Sequence, residues 1–201
     1  WTAAFWRRRA IPFAKLVLLC TLAAGLTPAW AFAQAGDFTL VALPDTQFYT
    51  CDSGSGSCTN DLEIFASQTD WIETNQVARD IRFVTLLGDC AQNGNVAAEY
   101  DIAKAAFSTI EAAVSVDFPD GIPYGIAVGN HDQFPQGNPG SIPSVSAVND
   151  PGQATTTTAY NDAFGTEWFC PGGTCRSYYG DHFGINNDNH YDLFSANGYD
   201  F

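Results

Sequence analysis

Methionine is absent from all 201 residues, position 1 included, and the sequence stops at Asp200-Phe201, three residues past an Asn197-Gly198 turn signal. The chain is therefore expected to be a piece of a longer protein, cut at both ends. Cations are also scarce, with eight Lys and Arg against 22 Asp and Glu. Four of those eight (Arg7, Arg8, Arg9 and Lys15) precede position 36 and every acid follows it, so the remainder carries a formal charge of −18. Such a field repels nucleic-acid backbones and anionic membranes, which excludes nucleic-acid scaffold binding, and it suits a chain that collects divalent cations. Neither a CxxC zinc spacing nor an internal repeat nor a long low-complexity tract is present, which argues against zinc knuckles and solenoids.

What is present begins with an export signal. Arg7-Arg8-Arg9 precede an apolar run from Ile11 to about Trp30, and Ala33-Gln34-Ala35 places small residues where a signal peptidase cuts. Residues 1–35 are expected to be a secretory signal removed before Gly36, leaving 36–201 secreted, periplasmic or extracellular, with no stable membrane insertion. Pro12, Pro28 and the small-residue exit weigh against a membrane anchor, and Leu19 before Cys20 weighs against a lipoprotein. In an exported chain the pairs Cys51 with Cys58 and Cys170 with Cys175 read as small disulfide-closed loops, while Cys90 is left as a buried free thiol.

Hydrophobic periodicity lays out alternating strands and helices. Strands are expected at Phe38–Leu43, Ile81–Leu87 and Ile122–Val128. Between them, Phe65, Thr69 and Ile72, preceded by Leu62 and an Asn60-Asp61 cap, mark one helical face. Val96, Tyr100, Ala103, Phe107, Ile110 and Val114 mark a second. The order β-α-β-α-β implies neighbouring parallel strands whose carboxyl ends emerge on one edge, where open α/β sheets hold their ligands. Residues from Phe134 to about Ala154 read as an irregular excursion, Thr155–Phe164 as a short helix, and Gly180–Asn189 as a polar turn region. His190–Ala196 and Tyr199 onward read as a hairpin about Asn197-Gly198.

Each expected strand runs into polar residues. The first ends at Asp45, the second at Gly88-Asp89, the third at Gly129-Asn130-His131-Asp132. These blocks, in this order and spacing, resemble the calcineurin-like metallophosphoesterases, a family that includes the purple acid phosphatases. The likeness covers Phe38 to Asp132 and lies most in Gly-Asn-His-Asp. It implies a four-layer α/β/β/α sandwich, of which this chain would supply about the first half, and a hydrolase cleaving phosphoester bonds with a metal-activated water. Two divalent ions (Mn, Fe, Zn, Mg or Ca) would be held by Asp45, Gln47, Asp89 and Asn130, with Asp89 as the bridge and His131 protonating the leaving oxygen.

The chain departs from the family pattern at two positions. Gln47 stands where a His ligand is usual, which favours harder cations. Gln92 stands where an Asp orients the catalytic His in several members, so His131 is expected to lack that support. The family's later His motifs are expected beyond Phe201, and substrate contacts within Phe134–Tyr179. Substrate type and oligomeric state stay open. A catalytically silent extracellular binding domain on the same scaffold is the alternative, and a disulfide-stapled calcium-binding domain a third reading.

Overall fold

The computed structural model describes residues 36–51, 63–135 and 156–201. The expected signal segment, its apolar run, Cys58 and most of the irregular excursion lie outside these residues, so the Cys51–Cys58 pairing does too.

The described residues from Asp37 to Phe201 belong to one compact unit of mixed α/β architecture. Its centre is a parallel sheet of β1 (Thr39–Leu43), β2 (Ile81–Leu86) and β3 (Tyr124–Ile126), in the order β1-β2-β3. Leu43 pairs with Leu86 and Leu86 with Ile126, so all three strands end level. A one-turn helix α1 (Gln47–Thr50) follows β1, and α2 (Glu63–Asn75) and α3 (Ala97–Glu111) make the two crossovers.

Helix α2 buries Phe65, Thr69 and Ile72, spaced four and three apart as a helical stripe requires. Helix α3 buries Tyr100, Ala103, Phe107 and Ile110 in the same rhythm. Phe65 meets Phe107 edge to face at 5.5 Å, and Phe107 stacks on Tyr124 of β3 at 4.6 Å. These rings join Ile81, Val84 and Leu86 in the main core. Because successive strand residues face opposite ways, Phe83 points to the other side of the sheet, where it stacks on Phe194 at 4.9 Å; Phe38 and Phe201 complete that aromatic cluster.

The remaining elements are α4 (Thr158–Phe164), α5 (Thr166–Phe169), a short 3₁₀ turn closed by the Cys170–Cys175 disulfide, and two small antiparallel pairs. Strand β4 (Tyr179–His182) pairs with β5 (His190–Asp192), and β6 (Ser195–Ala196) with β7 (Tyr199–Asp200). Tyr160 of α4 donates its hydroxyl proton to the Ile126 carbonyl at 2.8 Å, which ties this half to β3. Among the described residues no helix is long and apolar enough to cross a membrane.

Several boundaries differ from the sequence expectation for identifiable reasons. The third strand is shorter than Ile122–Val128, because the Ile122 N–H donates to Ile110 at the end of α3 instead of to a strand. The same capture ends the helix, so Val114 is exposed rather than part of the buried face. Gly180–Asn189, expected as turns, includes most of β4, because β5 supplies its partner. The single strand expected at His190–Ala196 is split, since Leu193 bonds back to Tyr178 while Phe194 bonds to Phe201. The Asn197-Gly198 turn is as expected: both residues have positive φ, 53° and 81°, the signature of a type I′ hairpin.

Candidate functional site

Level strand ends bring the three polar blocks to one edge. Asp45 lies two residues beyond Leu43, Asp89 three beyond Leu86, and Asn130 four beyond Ile126. The main chain ties the blocks together. Thr46 and Thr50 donate hydroxyl protons to the Cys90 carbonyl at 3.1 and 2.9 Å, pinning the α1 turn beside the second block. The His131 N–H donates to Asp89 Oδ1 at 2.8 Å, pinning the second block to the third.

Close approach here depends on glycine. Gly88 has φ of 108° and lies against Gly129, and Asp89 itself has φ of 49°. A Cβ on Gly129 would overlap both the main-chain nitrogen and Oδ1 of Asp89. The Gly-Asp and Gly-Asn pairs are thus one interlocked junction, and the left-handed backbone at Asp89 turns its carboxylate toward the third block.

Asp132 organises this junction. Its side chain is fully buried and accepts four hydrogen bonds: from Cys90 N–H at 3.1 Å, Ala91 N–H at 3.1 Å, Gly129 N–H at 2.9 Å and the Tyr100 hydroxyl at 3.1 Å. Burial lifts its carboxyl to about 6, and the donors at Gly129, Ala91, Cys90 and Tyr100 limit the rise. Sequence reading placed Asp132 on the rim with its neighbours; the structure places it beneath the rim, as the residue that locks two loops in register. The available clue was its place directly after His131, because a chain turning out of a strand must satisfy its freed amides somewhere.

His131 is partly buried, and its Nδ1 lies 3.0 Å from the Gln92 carbonyl. A carbonyl can only accept, so Nδ1 carries the proton and Nε2 is the nitrogen that can exchange protons with a ligand. The orienting partner expected to be missing at position 92 is thus supplied by the main chain of the same residue. The side chain of Gln92 does not take that role: its Oε1 is buried without a hydrogen-bond partner.

Asp45 is exposed and Asp89 and Asn130 are partly buried. Gln47 is buried, and its Oε1 has no hydrogen-bond partner. A buried carbonyl oxygen without a donor costs about 1–3 kcal/mol, and a cation would satisfy it. The expected set Asp45, Gln47, Asp89 and Asn130 offers oxygen donors only, which fits hard cations. Among the described residues no three His, Cys, Asp or Glu side chains group closely enough to hold a metal ion. Of the expected donors only Asp45 and Asp89 are of those types, so half of the set falls outside that criterion. Of the other two histidines, His182 hydrogen-bonds the Tyr179 hydroxyl at 3.0 Å, and His190 packs on Phe169. Cys90 is a free, fully buried thiol, as expected, and burial pushes it well above its ordinary range.

No protein-family model matches the chain, and no solved structure matches it. Among curated proteins, the uncharacterized protein YvnB of Bacillus subtilis (strain 168) is 29% identical over 164 residues, which is 82% of this chain and 10% of that protein. The chain thus spans about a tenth of the length of the relative it matches.

Proposed function

We propose that the chain is part of an exported calcineurin-like metallophosphoesterase that hydrolyses phosphoester bonds at the sheet edge formed by Asp45, Asp89 and Asn130. The observation that supports this most is the junction at that edge, where Asp89 Oδ1 receives the His131 N–H while Gly129 allows the two loops to touch. The completed fold would be a four-layer sandwich, with further strands beyond those described here. Export rests on the segment 1–35.

In this reading Asp45, Gln47, Asp89 and Asn130 would hold two divalent cations. When bound, such cations stabilise the attacking and leaving oxygens of a phosphoryl transfer. The chain's own residues do the rest. His131, whose Nδ1–H is held by the Gln92 carbonyl, leaves Nε2 as the nitrogen that would exchange a proton with the departing oxygen. Asp132 keeps Gly129 and the Cys90–Ala91 turn fixed, which holds together the two loops that carry Asn130 and Asp89. A second reading, a catalytically silent binding domain on this scaffold, is favoured by Gln47 in place of a His.

Turnover of p-nitrophenyl phosphate and bis-p-nitrophenyl phosphate by the whole protein with Mn²⁺ separates the two readings. Hydrolysis that is lost in Asp89→Asn, with the circular dichroism spectrum intact, is the result expected of the enzyme. No turnover in either form, or equal turnover in both, would sink the enzyme reading at this site.

A further inference from the structure

Glu99 is a buried acid, 2% exposed, in the first turn of α3. One residue takes both of its oxygens: Oε2 accepts the main-chain N–H of Asn93 and Oε1 its side-chain amide, each at 2.8 Å. This is not an ordinary helix cap. A glutamate at the third position of a helix reaches back to the N–H of the capping residue, but the Val96 N–H is already given to the Asn93 carbonyl at 2.9 Å. Glu99 instead reaches past the helix to the loop that carries Gln92.

The Asn93 N–H and the Gln92 carbonyl belong to one peptide group. That group is planar and stiff, so fixing its N–H fixes the direction of its C=O. The same carbonyl accepts the Nδ1–H of His131 at 3.0 Å. The Glu99 carboxylate, the Gln92–Asn93 peptide and the His131 ring thus lie along one chain of hydrogen bonds. Bonds in such a chain polarise one another, and a charged acceptor strengthens the first of them. The loop has little room to turn the peptide away, because a Cβ on Gly94 would lie 2.6 Å from the main chain of Asp132.

We propose that Glu99 is the positioning residue for His131: acting through the Gln92–Asn93 peptide, it holds the imidazole in the Nδ1–H form and leaves Nε2 for the substrate. The carboxylate expected to be missing at position 92 then stands one peptide group further back. Its effect on turnover rests on the phosphoester reading of the rim, whereas the tautomer it imposes on His131 does not. Sequence reading passed over Glu99, since a carboxylate that acts through the main chain leaves no side-chain pattern.

The test uses the whole protein, metal-free, with isotope-labelled histidine. The ring Cδ2 chemical shift of a neutral imidazole reports which nitrogen carries the proton, and His131→Gln identifies the His131 signal. The Nδ1–H form is expected in the parent. Glu99→Gln keeps the shape and one acceptor oxygen without the charge, and Glu99→Ala removes the acceptor, so a growing share of the Nε2–H form is expected in that order. The isosteric Glu99→Gln carries the test if Glu99→Ala fails to fold. Asn93→Ala drops only the side-chain bond, keeps the main-chain N–H, and should keep the parent tautomer. With Mn²⁺ and p-nitrophenyl phosphate, Glu99→Gln should lower kcat about 10-fold at unchanged KM, a part of the about 10²–10⁴-fold that an acid–base group contributes. A His131 tautomer unmoved by the Glu99 variants, or moved as far by Asn93→Ala, overturns the proposal. Absence of turnover in the parent overturns the rim reading instead, and the spectra still decide the role of Glu99.

Discussion

Replacing Asp132 by Ala should be among the most damaging single changes in the chain. The substitution strands the amides of Cys90, Ala91 and Gly129 and the hydroxyl of Tyr100, with Cys90 and Ala91 fully buried. Three orphaned amides at about 1–2 kcal/mol each come to about 3–6 kcal/mol, a large share of the about 5–15 kcal/mol that holds a domain together. Urea unfolding followed by tryptophan fluorescence, with chelator present, reads this as a lower midpoint at unchanged slope. Asp132→Asn separates charge from hydrogen bonding. The wild-type carboxyl is raised from 3.8 to about 6 on folding, so its contribution is fully present below 3.8 and is lost as pH rises through about 6. The difference is of order 3 kcal/mol. Between about pH 4 and about pH 7, wild type should therefore lose stability relative to Asp132→Asn, which has nothing to titrate there. Asp192, which burial lifts to about 7, titrates in both proteins and drops out of the comparison. A loss under about 1 kcal/mol in Asp132→Ala, or parallel pH profiles for wild type and Asp132→Asn, would refute the reasoning.

Two further outcomes follow from the packing. Gly129→Ala should push the Asp89 and Asn130 loops apart, with a lower melting temperature and loss of any metal binding at the rim, because its Cβ would overlap Asp89; a variant with wild-type melting and metal content would show that the junction can relax. Phe107→Ala removes the ring that meets Phe65, Tyr124 and Phe164, and should cost about 3–5 kcal/mol by urea unfolding.

Much of the secondary structure was legible in the sequence because each element carries its own period. Phe65, Thr69 and Ile72, and Tyr100 through Ile110, are spaced as helical stripes, and they are the residues buried. The polar blocks after the strands were legible too, since Gly interrupts apolar runs at Gly88 and Gly129, although the strands themselves end earlier, at Leu86 and Ile126. Boundaries failed where a distant partner decided them. Ile122 gives its N–H to Ile110, and Leu193 gives its own to Tyr178, and neither choice leaves a local trace. The same holds for the support of His131, which comes from a main-chain carbonyl that no side-chain pattern encodes.

By itself, the sequence determined the alternation of strands and helices, the acidic surface, the hairpin at Asn197-Gly198 and the identity of the polar groups at each strand end. These follow from local chemistry: side-chain period, backbone freedom of glycine, and charge. Only the tertiary structure decided that Asp132 lies beneath the rim rather than on it and that Asp89 and Gly129 touch. Those facts depend on which donors and acceptors meet across 40 or more residues of chain, as when Asp132 takes the amides of Cys90 and Ala91. Burial, which sets the cost of leaving any of them unmet, exists only once the chain has closed on itself.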